Sequence, residues 1–140
     1  MKEYYEGKVS YITEVEGKTK MIKESYLLEA ESFEEVETLL KAEMTSVDNL
    51  NILEIKKSSY LDVLLSVSNE YDFYYKGKIK IIMLDEETGK EKSKTQYYLI
   101  NASSVDAAFD ILTENVVKTS LYDMEIKGIY DTSIVGTINL

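Results

Sequence analysis

The chain has 140 residues, 44% of them hydrophobic and 30% charged, with a net charge of −10. This is a globular composition and excludes a disordered chain. The charge opposes binding that works by neutralising nucleic-acid phosphates. Cys, His, Trp and Pro are absent and all sixteen basic residues are lysines, which excludes disulfides and thiolate metal sites and removes the commonest general base.

The first predicted element is a strand opening Tyr4-Tyr5-Glu6-Gly7-Lys8-Val9, followed by a polar turn, Glu14-Val15-Glu16-Gly17-Lys18. Gly17 suits the positive φ of a hairpin turn. A second strand covers Tyr26 to Ala30. Ser32 followed by Glu35 forms a capping box that starts a helix. Val36, Leu39, Leu40 and Met44 recur at helical spacing on one face of it, and Glu34, Glu35, Glu37 and Glu43 occupy the other. A third strand spans 51–57. Tyr60 to Val67 reads as its extension, and Ser68-Asn69-Glu70-Tyr71-Asp72 as a connector.

The same series then returns. Tyr74-Tyr75-Lys76-Gly77-Lys78-Ile79 matches the opening strand, and Asp85-Glu86-Glu87-Thr88-Gly89-Lys90 matches the turn with two residues added. Loops absorb such insertions readily. Tyr98-Leu99-Ile100-Asn101-Ala102 matches Tyr26-Leu27-Leu28-Glu29-Ala30. Ser104 is the expected cap of a helix carrying Ala108, Ile111, Leu112 and Val116, and a last strand spans 124–130. Glu54-Ile55-Lys56 and Glu125-Ile126-Lys127 close the correspondence.

Four matched segments in one order predict a duplication. The expected fold class is α+β: a tandem repeat of two strand-strand-helix-strand (ββαβ) units, residues 1–70 and 71–140, with antiparallel sheets packed together as one compact domain. Leu27 and Leu99 on the sheet faces away from the helices call for cover, from the other unit or from a second copy of the chain.

The order and spacing of Tyr26-Leu27-Leu28-Glu29-Ala30-Glu31-Ser32-Phe33, of Ile82-Met83-Leu84-Asp85-Glu86-Glu87-Thr88-Gly89-Lys90-Glu91-Lys92 and of Asp123-Met124-Glu125-Ile126 resemble an uncharacterised domain family, a domain of unknown function of Bacteroidetes and their phages. The resemblance extends over nearly the whole chain. It implies a bacterial or phage context and no active site.

The residues offer little for catalysis. Without Arg there is no bidentate phosphate clamp, Ser and Thr lack a base in a recognisable triad, and no phosphate-binding glycine loop occurs. Asp85-Glu86-Glu87 could hold a divalent cation but lacks the alternating oxygen ligands of a calcium loop. No enzyme activity, cofactor or metal is expected. No apolar run reaches the roughly eighteen residues of a membrane span, and Met1 to Glu6 has no apolar secretion core. The expected location is the cytoplasm, that of the host if the chain is phage-encoded.

Tyrosine is abundant, at 12 residues. Its preference for strands explains much of that. Alternation sends Tyr5 and Tyr75 to the core and leaves Tyr4 and Tyr74 beside Lys8 and Lys78, with Tyr97 nearby. A ring for a base and an ammonium for a phosphate make Tyr4, Lys8, Tyr74, Lys78 and Tyr97 the candidate binding residues. The expected function is a non-catalytic phage protein that sequesters a small nucleotide-like immune signal, with no direct nucleic-acid or membrane binding. An acidic protein–protein module, or a DNA mimic inhibiting a host protein, is the alternative, and a phage structural or assembly component a third.

Overall fold

A computed structural model describes residues 2–65 and 73–140. The predicted connector, Ser68 to Asp72, and the end of the predicted extension at Val67 lie outside them. The chain divides into two compact units, Met1–Ser59 with Ser133–Leu140, and Tyr60–Thr132.

In the first unit, β1 (Glu3–Val15) and β2 (Lys18–Ala30) form a long antiparallel hairpin. Its two-residue loop is Glu16-Gly17, with φ of 52° and 78°. Two positive φ values give a turn whose twist matches the strands, and glycine meets that demand without strain. The strand β3 (Asp48–Lys57) flanks β1 antiparallel, and β8 (Ile134–Ile138) flanks β2 in parallel, giving the order β3-β1-β2-β8.

The helix α1 (Phe33–Glu43) lies on one face of this sheet, with Val36 and Leu40 fully buried against a core of Tyr5, Val9, Leu28 and Ala30. Gly7 allows that approach: a Cβ there would stand 2.8 Å from Leu40 Cδ1. The Ser32 hydroxyl accepts the Glu35 N–H at 3.1 Å, while the Glu35 carboxylate reaches back to the Glu31 N–H at 3.2 Å. The acids of the first turn also suit the helix dipole.

In the second unit, β5 (Tyr74–Leu84) and β6 (Glu91–Asn101) form the hairpin. Gly89, with φ 69°, donates its N–H to the Asp85 carbonyl at 2.8 Å within the turn. The strand β7 (Asp123–Asp131) flanks β5 antiparallel and β4 (Tyr60–Leu64) flanks β6 in parallel, giving the order β4-β6-β5-β7. The helix α2 (Val105–Leu112) buries Ala108 and Leu112 with Tyr75, Ile79, Tyr98 and Ile100, then continues as a π-helical segment, Thr113–Val117. Ser104 caps it by accepting the Ala107 N–H at 3.1 Å. Ser32→Ala and Ser104→Ala should each lower stability by about 1 kcal/mol in urea unfolding, the usual cost of losing a cap.

Several expectations need correction. Tyr60 begins a separate strand after a break at Ser58-Ser59 and does not extend β3. A further strand follows β7, at Ile134–Ile138. Each sheet gains one parallel edge pair, so neither is wholly antiparallel. The compact units also do not follow the 1–70 and 71–140 division. Residues 60–64 hydrogen-bond into the second unit's sheet and residues 134–138 into the first's. The α+β class itself holds, with the two sheets antiparallel-rich.

Candidate ligand-binding site

Strand alternation sorts the second unit's β5. Tyr75, Ile79 and Ile81 point into the core under α2, as does the backbone at Gly77, where a Cβ would stand 2.7 Å from Leu112 Cδ2. Lys76, Lys78 and Lys80 therefore occupy the opposite face, half-buried. The sheet register lays a row across that face: Tyr60 on β4 opposes Tyr97 on β6, Tyr97 opposes Lys78, and Lys78 opposes Gly128 on β7.

One step along β5, the Lys76 ammonium stands 4.3 Å from the Tyr97 ring centroid and 5.9 Å from that of Tyr60. On the other flank Tyr130, which opposes Lys76, lies over Gly128, and a Cβ on Gly128 would collide with its ring. Three tyrosine rings and two ammonium groups thus share one sheet face.

The five residues expected from sequence fare differently. Lys78 and Tyr97 are direct cross-strand neighbours. Tyr74 is not available: it is 5% exposed, and pairs with Asn101, whose side chain is fully buried and donates to the Phe73 carbonyl at 3.0 Å. Tyr4, half-buried, and Lys8, exposed, belong to the first unit, where Lys8 lines a depression of about 180 Å³. Sequence reasoning missed Lys76, Tyr60 and Tyr130. Alternation alone placed Lys76 on the face of Lys78, but Tyr60 and Tyr130 depend on the register of β4 and β7.

Three further polar groups, on Asp85, Tyr98 and Tyr26, serve the fold. The Asp85 carboxylate accepts the Glu87 and Thr88 N–H groups at 3.0 and 3.4 Å and meets Lys92 at 3.2 Å. The Glu87 N–H first, then Lys92 and the Thr88 N–H, hold it below the usual carboxylate range, so it serves to organise the turn. Tyr98 belongs to the core. Burial, then the charge of Asp62, raises its phenol above the ordinary value. In the first unit Tyr26 donates to Glu24 at 3.1 Å, and burial followed by that negative charge raises it too.

The chain is thus an α+β protein of two four-stranded sheets, each carrying a helix. It belongs to the family described as a domain of unknown function (DUF4494), which matches residues 3–140. No curated protein and no solved structure matches the chain. Among the described residues, no helix is long and apolar enough to cross a membrane.

Proposed function

We propose that the protein is a non-catalytic binding protein that captures a small nucleotide-like ligand, acting in the cytoplasm as a phage-type sequestering protein against an immune signal. The observation that carries this reading is the Lys76 ammonium held 4.3 Å from the Tyr97 centroid and 5.9 Å from that of Tyr60. A base stacks on the Tyr97 ring while Lys76 and Lys78 turn to the phosphate. The exchange is favourable where the hydrogen bond is strong, because a cation–π contact of about 0.5–2 kcal/mol at a half-buried site is replaced by a charge-assisted hydrogen bond of about 1.5–3 kcal/mol. Sequestration needs affinity without turnover, which suits a surface of phenols and ammonium groups.

Calorimetry with cyclic nucleotides and ADP-ribose derivatives tests this. Tyr97→Ala should weaken binding by about 1–3 kcal/mol, the worth of one base–aromatic stack. No micromolar binding across such a panel would end the proposal.

We also infer that the two halves of the chain are copies of one unit. Supporting this, both run strand, strand, helix, strand, strand. Both place a glycine of the first strand against a buried helix leucine, Gly7 with Leu40 and Gly77 with Leu112. The acidic outer face of α1, where Glu34, Glu37 and Glu43 are exposed, favours a second reading as a module for a basic protein partner. Pull-down from a bacterial host would then recover such a partner in a salt-sensitive manner.

A further inference from the structure

The first unit holds a depression whose lining differs in chemistry from the tyrosine and lysine face of the second. On the sheet face away from α1, two rows of residues cross the strands. Glu6 on β1 opposes Lys56 on β3, and one step along, Lys8 opposes Glu54. Signs therefore alternate in both directions, as in a checkerboard. Lys56 meets Glu6 at 3.5 Å and Glu54 at 3.7 Å, while Lys8 forms no ion pair among the described residues. On its other side Lys8 opposes Ser25 of β2, which in turn opposes Ile134 of β8. Glu6, Lys8, Ser25, Glu54, Lys56 and Ser133 line the depression of about 180 Å³.

Opposed charges across strands are by themselves an ordinary way to stabilise a sheet. Ser25 sets this arrangement apart. It is 8% exposed, yet its hydroxyl has no hydrogen-bond partner among the described residues. Among the described residues, no side-chain polar atom wholly sealed from solvent lacks a partner, so the Ser25 hydroxyl opens onto the depression it lines. A hydroxyl that is largely enclosed but open on one side is free to donate to, or accept from, a group seated there. Ser133, just before β8, supplies a second hydroxyl there.

We infer that this depression binds the zwitterionic head of a small molecule, an α-amino acid or a compound with the same ammonium–carboxylate pair. The lining carries two carboxylates and two ammonium groups and is electrically neutral as a whole. A dianion such as phosphate would have to face Glu6 and Glu54 at close range. A zwitterion instead matches each half of the lining. Its carboxylate takes Lys8 and the hydroxyls of Ser25 and Ser133. Its ammonium takes lone pairs of Glu6 and Glu54 that Lys56 leaves open, since a carboxylate offers about four acceptor positions. This site lies within the first unit and does not rest on the tyrosine and lysine surface of the second.

The test is an NMR titration of the full chain with L-methionine, N-acetyl-L-methionine, L-methionine methyl ester and inorganic phosphate, followed at the amides of Gly7, Lys8 and Ser25. L-methionine should give saturable shifts at these amides. Blocking either its ammonium or its carboxylate should weaken binding about tenfold or more, as should Ser25→Ala or Lys8→Met, each removing one charge-assisted partner. Circular dichroism confirms that the variants fold, and should Ser25→Ala not fold, Lys8→Met alone decides, because Lys8 is exposed. The inference is overturned if L-methionine causes no shifts at millimolar concentration. It is equally overturned if phosphate or the blocked forms bind as tightly, or if the folded variants bind like the parent.

Discussion

A chain ending at Thr132 is expected to lose the fold of its first unit, although every helix and every other strand of that unit remains covalently present. The missing strand, β8, closes the β2 edge through the pairs Ser25–Ile134, Tyr26–Gly136, Leu27–Thr137 and Leu28–Ile138. It also brings two buried side chains, Ile134 at 3% and Ile138 at 8% exposure, the latter part of the core under α1. Burying an isoleucine contributes about 1.5–3 kcal/mol, so the pair contributes roughly 3–6 kcal/mol against a total stability of about 5–15 kcal/mol. The Asn139 side chain, which donates to the Glu29 carbonyl at 2.9 Å, is lost as well, and the bare β2 edge would invite pairing with other chains. Thermal unfolding followed by circular dichroism, with NMR spectra of the same sample, should show loss of dispersion for residues 3–57. Ile138→Ala, which keeps the strand, should cost about 2–5 kcal/mol. A synthetic peptide of residues 133–140 added in trans should restore the lost signals in part. A truncated chain that melts like the parent would show that β8 contributes little.

That dependence also explains what could be read from the sequence and what could not. Local signals gave accurate results where local physics decides. The Ser32 and Ser104 caps, the positive φ of Gly17 and Gly89, and the buried helix positions Val36, Leu40, Ala108 and Leu112 lie where periodicity and capping put them. The hairpin strands β1, β2 and β6 run well beyond their apolar stretches, because pairing along a hairpin continues as far as its turn. The edge strands were the real failure. Ile134-Val135-Gly136-Thr137-Ile138 has strand character, but nothing near it in sequence indicates a partner more than 100 positions earlier. The same blindness applies to the candidate site. Alternation along β5 exposes Lys76 and Lys78, which local reasoning can reach. Tyr60 joins them only through a parallel register with β6, and Tyr130 only through the register of β7. Tyr74 failed for a related reason. Alternation states which face a residue takes and is silent on whether that face is covered at that end of the strand.

Gly77 and Leu112 should behave as a coupled pair, and their coupling separates the role of α2 in stability from the binding role proposed for the opposite face. A Cβ on residue 77 would lie 2.7 Å from Leu112 Cδ2 and 3.0 Å from Ile100 Cδ1. Leu112 and Ile100 are both fully buried, so neither can swing aside into solvent. Gly77→Ala should therefore cost about 1–3 kcal/mol from overpacking, reduced by the roughly 0.4–1 kcal/mol that alanine returns through a less flexible unfolded chain. Leu112→Ala should cost about 2–5 kcal/mol through the cavity it leaves. In the double variant the new methyl enters space that the leucine vacated, so the total should fall short of the sum by about 0.5–3 kcal/mol in a urea double-mutant cycle. Strict additivity would mean that helix and strand do not meet at this point. The neighbours of Gly77 along β5, Lys76 and Lys78, point away from α2. On the proposed function, Gly77→Ala protein that remains folded should thus bind a nucleotide ligand at the tyrosine and lysine face with unchanged affinity. Impaired binding in that variant would instead place the ligand's contacts on the helix side of the sheet.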